Sequence, residues 1–247
     1  MKRLAMLVAL VVAAVVVVAG AAVAAGVKTS VIYDSTAKNG PPSNLVSAGP
    51  EAYAFTSIGD TITFAPGPRK LTNATVTLSS WGCVSGTWFG GDCSTPTGAT
   101  FDQPITLTVT DSGGNVLASS TQTFAVPYRP SASPRCTGDD AGKWYSSALK
   151  TCFNGYATDV TFNFSGNVTL PSTVTYAVSY NSTHFGPNPV GEGAACYGTS
   201  GGCPYDSLNV ALNDTYPSVG TPGYDADETV FGSPYTPAVT FKAGGGS

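Results

Sequence analysis

The stretch ITLTVTDSGGN, residues 105–115, decides the fold of this chain. Its apolar residues Ile105, Leu107 and Val109 alternate with threonines. Because successive side chains of a β-strand point to opposite faces, this alternation places one apolar row against a core and one hydroxyl row in solvent. The DSGGN segment that follows has the composition of a tight connection between antiparallel strands. The stretch therefore predicts a β-hairpin.

The same alternation recurs along most of the chain. It is clearest at residues 74–78, 160–164, 174–180 and 208–212, with shorter matches at 31–33, 62–64, 124–126 and 239–241. After Val27 the best helical candidate is only the short segment 140–149. About nine strands separated by turn signals predict an all-β fold, an antiparallel, jelly-roll-like β-sandwich. We expect one domain over residues 26–243 and a flexible tail at 244–247, because a sandwich needs two layers to bury its apolar faces.

The first 25 residues have the pattern of a secretory signal peptide. Lys2 and Arg3 precede an apolar run over residues 4–18, and Ala22-Val23-Ala24 matches the small-residue pattern of a cleavage site. The run with its Ala-rich continuation is also long enough to span a bilayer, so a retained anchor is the alternative. We predict a secreted, extracellular protein with no membrane contact after signal cleavage.

Composition excludes several classes of function. The 247 residues are 42% hydrophobic and only 11% charged, and the formal net charge is -4. A protein that binds nucleic acid or an anionic membrane needs a clustered basic surface, so neither is an expected partner. The single histidine, His184, excludes metal centres that need several histidines, and no motif places it in a catalytic triad.

Six cysteines behind a signal peptide indicate disulfide bonds. They lie in three close couples within Gly-, Ser- and Asp-rich segments, so we expect each to pair with its neighbour along the chain. The predicted bonds are Cys83–Cys93, Cys136–Cys152 and Cys196–Cys203. Zinc binding is the alternative, but these spacings match no common zinc module.

Aromatic side chains near the middle of two predicted disulfide loops are the best candidates for ligand contacts. Trp88 and Phe89 lie in the first loop, and Trp144 and Tyr145 lie in the second. A ring held in a cross-linked loop loses little entropy on binding, and sugar rings stack on such aromatic faces. The alternative is that these rings fold back to cover the ends of the core. Whether the two loops share one end of the sandwich is left open.

The densest acidic cluster comprises Asp225, Asp227 and Glu228. Carboxylates this close are suited to hold Ca²⁺, and the alternative is a set of solvated loop acids. No other cofactor is expected. No pair of carboxylates forms the motif that glycoside hydrolysis needs, so we predict no catalytic residues and no enzyme.

Five segments resemble a class of secreted bacterial β-sandwich proteins. They are VIYDS at 31–35, PPSNL at 41–45, FTSIGDTITFA at 55–65, RKLTNATVTLSSW at 69–81 and FDQPITL at 101–107. The resemblance covers roughly residues 31–126 and implies an extracellular or cell-surface location. Members of that class often carry a C-terminal sorting anchor, which is not expected here. The resemblance implies no activity and supplies no site residues.

These observations favour a non-catalytic binding module whose partner is a polysaccharide or the cell wall. Two alternatives remain: a structural protein of an extracellular matrix or surface assembly, and a hydrolase acting on polysaccharide. A binding module needs exposed aromatic rings on one side of the protein. A structural protein needs an unpaired sheet edge or a flat apolar patch. A hydrolase needs a cleft with converging carboxylates. The oligomeric state is not predicted.

Overall fold

A computed structural model describes residues 28–36, 40–41, 46–50, 55–165, 167–180, 208–213, 217–223 and 235–245. Within them the chain forms fourteen strands and one 3₁₀ turn, η1. The elements are β1 (Ser30–Asp34), β2 (Ser47–Ala48), β3 (Ser57–Thr63), β4 (Lys70–Ser80), β5 (Thr100–Thr110), β6 (Val116–Pro127), η1 (Gly138–Asp140), β7 (Trp144–Ser146), β8 (Thr151–Phe153), β9 (Tyr156–Asn163), β10 (Thr173–Ser179), β11 (Leu208–Asn213), β12 (Thr221–Pro222), β13 (Thr236–Pro237) and β14 (Val239–Gly244).

The strands form three antiparallel sheets. A seven-stranded sheet has the order β1-β14-β4-β11-β13, with β9 paired to β4 and β2 paired to β11. A five-stranded sheet has the order β12-β3-β10-β5-β6, and β7 and β8 form a separate two-stranded ribbon. Four of the strand pairs are nested along the chain: β1 with β14, β3 with β10, β4 with β9, and β5 with β6. Successive pairs alternate between the two large sheets.

Residues 105–115 form the predicted β-hairpin, which joins β5 to β6. Ile105, Leu107 and Val109 are fully buried, and the threonines between them lie on the outer face. The turn closes where the Gly114 N–H donates to the Asp111 carbonyl at 3.0 Å. The all-β, antiparallel prediction is confirmed.

One apolar cluster joins the two large sheets. Phe124 of β6 meets Phe162 of β9 with ring centroids 5.0 Å apart. Phe241 of β14 lies 5.4 Å from the ring of Tyr176 in β10 and 5.7 Å from that of Phe64. These edge-to-face contacts add specific geometry to the apolar burial that stabilises the fold.

The strand count departs from the expected nine because short strands supplement the long ones. In β11 both faces are buried, although its sequence alternates. The polar side chains are accommodated by hydrogen bonds, since Asn209 donates to Ser47 Oγ at 3.1 Å and Asn213 donates to the Ser35 carbonyl at 2.9 Å. The segment 140–149, which is the best helical candidate in the sequence, contains the end of η1 and then strand β7.

Candidate functional site

Two of the three predicted disulfides are confirmed. Cys83 is bonded to Cys93 in the connection between β4 and β5, and Cys136 is bonded to Cys152 in the connection between β6 and β9. Closing loops of these lengths stabilises the fold by roughly 2.5–3 kcal/mol each in the chain-entropy estimate. The predicted Cys196–Cys203 bond lies outside the described residues.

The two disulfide-closed connections touch each other at one end of the fold. The Ala132 N–H donates to the Cys93 carbonyl at 2.9 Å, and the Thr95 N–H donates to the Ser131 hydroxyl at 2.8 Å. That hydroxyl in turn donates to the Thr95 carbonyl at 3.1 Å. The contact left open by the sequence is therefore present, and the two loops form one surface.

A buried arginine ties these connections together. Arg129 has no exposed surface, its backbone N–H donates to the Gly82 carbonyl at 2.9 Å, and its side-chain Nη2 donates to the Gly142 carbonyl at 3.0 Å. Burying a guanidinium is costly unless hydrogen bonds compensate for lost water. The guanidinium bond to Gly142 lies within the second connection, and the backbone bond to Gly82 reaches the first, so Arg129 as a whole residue links the two connections.

A second close approach between the loops requires glycine. Gly142 has φ +81°, and a Cβ built on it would lie 2.6 Å from the Gly91 Cα. Glycine is the residue that adopts positive φ without a steric penalty, and here it also admits the neighbouring backbone.

An open cleft of about 490 Å³ lies between the two connections. Four of the fourteen residues that line it are prolines, and three are tyrosines. The lining residues are Thr95, Pro96, Thr97, Gly98, Ala99, Pro127, Tyr128, Pro130, Ser131, Ala132, Ser133, Pro134, Tyr145 and Tyr156. Because proline fixes φ, much of this surface is held in shape before any ligand arrives.

Two of the predicted rings, those of Trp144 and Tyr145, are adjacent in β7 and therefore point to opposite faces of that strand. Tyr145 is partly exposed and lines the cleft. Trp144 is only 4% exposed, and its Nε1 donates to the Gly155 carbonyl at 2.8 Å. Its ring packs 5.2 Å from that of Phe153 and 5.4 Å from that of Tyr156. The prediction that Trp144 offers a binding face is wrong, because its ring is buried and packs against the ring of Tyr156.

The rings of the first loop lie apart from the cleft lining. Trp88 packs edge-on against Trp81 at 4.7 Å, and Phe89 packs on Trp88 at 5.7 Å. Phe89 is 56% exposed. The loop is held by Asp92, whose Oδ1 accepts from the Thr87 N–H at 2.8 Å. Of the four predicted rings, the structure places only Tyr145 in the cleft.

Two tyrosines of the cleft were missed by sequence reasoning. Tyr128 follows β6 at the start of the Pro- and Ser-rich segment, where its composition resembles a linker. Burial raises the pKa of the Tyr128 phenol above its usual value of 10.0. Tyr156 begins β9 opposite Ser80. The available signal was the concentration of tyrosine and proline around the second disulfide.

The predicted calcium ligands Asp225, Asp227 and Glu228 lie outside the described residues, as does His184. Among the residues that the structure describes, no group of three or more His, Cys, Asp or Glu side chains is placed to hold a metal ion. Within the same ranges, no helix has the length and apolar character needed to cross a membrane.

No protein-family model, curated protein or solved structure matches the chain significantly. Inference about function therefore rests on the residues and their geometry.

Proposed function

We propose that this protein is a secreted or cell-surface bacterial protein that binds polysaccharide, without catalysis, in the cleft between its two disulfide-closed connections. The observation that carries the proposal is the partly exposed ring of Tyr145, which lines the same cleft as Tyr156. Aromatic faces next to hydroxyl and backbone polar groups suit the apolar and polar sides of a sugar ring. Two disulfides in the described chain are compatible with an extracellular location.

We also propose that the binding surface is built on a single-domain jelly-roll sandwich. Four nested antiparallel pairs that alternate between two sheets are what a long hairpin produces when it is rolled into two layers. The eight strands of these pairs support the proposal, and the remaining short strands are additions to it.

The expected affinity is low. Each aromatic contact contributes about 1 kcal/mol, so a site with two or three rings binds with micromolar to millimolar Kd. A weak site of this kind retains a protein on a polymer when many sites or copies act together.

Retention on insoluble polysaccharides tests this function. Residues 26–247 should be retained on at least one cell-wall or plant polymer, and Tyr145→Ala should lose retention while Tm falls by no more than about 4 °C. Phe89→Ala is the matched control, because it removes an exposed ring outside the cleft. Retention that depends on Phe89 and not on Tyr145 would contradict the assignment. Release of reducing sugar in the same samples would favour the hydrolase alternative.

A structural role in a surface assembly is a second candidate, favoured by the outer face of the five-stranded sheet. This face carries cross-strand pairs of hydroxyl side chains: Thr61–Thr175 at 2.8 Å, Thr63–Thr173 at 3.1 Å, Thr106–Thr121 at 2.7 Å and Thr108–Ser119 at 3.2 Å. The patch formed by these eight side chains is uncharged, so it lacks the like-charge repulsion that keeps copies apart. Concentration-dependent association in sedimentation velocity, with no polymer retention, would favour this role.

A further inference from the structure

The side chain of Arg135 places a positive charge at the rim of the cleft. Arg135 is exposed and follows Pro134, which lines the cleft, and it precedes the disulfide-bonded Cys136. Its guanidinium carbon lies 5.1 Å from the centroid of the Tyr145 ring. A guanidinium over an aromatic face is held there by the ring's quadrupole. The charged group is therefore positioned next to the ring that we assign to sugar binding.

The charge around the cleft differs from that of the chain as a whole. The full chain carries -4, yet residues 129–150 include four cations against two carboxylates: Arg129, Arg135, Lys143 and Lys150 against Asp139 and Asp140. Lys143 forms an ion pair with Asp140 at 2.6 Å, and Arg129 is buried. None of the described lining residues is acidic. Arg135 is thus the exposed cation that adjoins the lining, and no described carboxylate in the lining opposes an anionic ligand.

We propose that the cleft selects acidic polysaccharides, and that Arg135 contacts the carboxylate of a uronic acid whose ring packs on Tyr145. This inference rests on the proposed polysaccharide binding. A uronic acid carries its carboxylate at the edge of its sugar ring, so the carboxylate reaches the Arg135 guanidinium while the sugar ring packs on the Tyr145 side chain. The planar fork of arginine donates two parallel hydrogen bonds to a carboxylate, which lysine does not reproduce.

The test compares one polymer in two charge states. Binding of residues 26–247 is measured against polygalacturonate and against the same polymer after methyl esterification, which removes the charge and keeps the sugar rings. We expect binding to the acidic form to be at least about tenfold tighter, as charge-assisted hydrogen bonds imply, and to weaken with added NaCl. Arg135→Ala should remove this preference, and Arg135→Lys should restore only part of it.

The control is Lys150→Asn, which removes an exposed charge from the same loop. Lys150 has φ 54°, a conformation that asparagine tolerates. An unchanged preference in this variant supports a specific role for Arg135, whereas an equal loss in both variants shows non-specific attraction and overturns the inference. Equal binding to both polymers that still depends on Tyr145 overturns the acidic selectivity and leaves polysaccharide binding intact. Dependence on neither Tyr145 nor Arg135, or no retention on any polymer, removes both proposals.

Discussion

Separate alanine substitutions of Trp144 and Tyr145 test whether one face of β7 stabilises the fold and the other binds the ligand. The two residues are adjacent, yet Trp144 is 4% exposed within the protein and Tyr145 faces the cleft. We expect Trp144→Ala to reduce stability with an indirect effect on binding, and Tyr145→Ala to reduce binding with little effect on stability.

The size of the effect follows from what each ring contacts. Trp144→Ala removes a buried indole from between Phe153 and Tyr156, a change that costs about 3–5 kcal/mol of unfolding free energy. In a chain of this size that corresponds to a fall in Tm of roughly 10 °C. Trp144→Phe retains much of the apolar volume but leaves the Gly155 carbonyl without its 2.8 Å donor, at a cost of about 1–3 kcal/mol. Tyr145→Ala should cost about 1 kcal/mol, because the ring is partly exposed.

The assay is chemical denaturation of the oxidised protein followed by fluorescence and circular dichroism, with polymer retention measured on the same preparations. Phe89→Ala serves as the exposed-ring control and should change stability by no more than about 0.5 kcal/mol. The reasoning is refuted if Trp144→Ala keeps the stability of the unmodified protein and loses retention, because the indole would then be a ligand contact and not a core ring.

Two further predictions concern the loops. Gly142→Ala should lower Tm by several degrees and weaken retention. The added Cβ would lie 2.6 Å from the Gly91 Cα, and the backbone φ of +81° is strained for alanine. An unchanged Tm would show that the two loops can move apart without a loss of stability. Asp111→Ala should destabilise the β5–β6 hairpin, whereas Asp111→Asn should retain part of the turn. Hydrogen bonds from the Asn115 side chain and backbone lower the pKa of Asp111 below its usual 3.8, so its contribution is present above that pH and is lost as pH falls through the lowered pKa. Urea denaturation of unmodified protein and Asp111→Ala from pH 7 to pH 2 checks this, and a difference between them that grows on acidification would contradict it.

Much of the fold was predictable because its strands are long and half-buried. In β5 and β10 the large apolar residues alternate with threonine, serine or alanine over several positions, and the large apolar row faces the core in each case. The local disulfides were predictable because the paired cysteines are close in sequence and lie in turn-rich segments. This brings Cys83 close to Cys93, and Cys136 close to Cys152, independently of the long-range strand pairing.

The site was less predictable because its elements are short and its contacts are distant in sequence. Strand β7 has three residues, too few for alternation to indicate which of Trp144 and Tyr145 faces inward. Tyr128 and Tyr156 belong to different strand ends and meet the cleft only through the pairing of β4 with β9 and of β5 with β6. A single sequence does not reveal such long-range registers when each strand has several compatible partners.

The register of those two pairs also explains why both disulfide connections lie at one end. Ser80, the last residue of β4, pairs with Tyr156, the first of β9, and Thr100 at the start of β5 pairs with Pro127 at the end of β6. The chain leaving β4 must enter β5, and the chain leaving β6 must reach β9, so both connections cross between the sheets at this end. Nested pairing thus makes the two loops neighbours. The backbone hydrogen bond from Arg129 to Gly82 and the close approach of Gly142 to Gly91 then hold the two connections together beside the cleft.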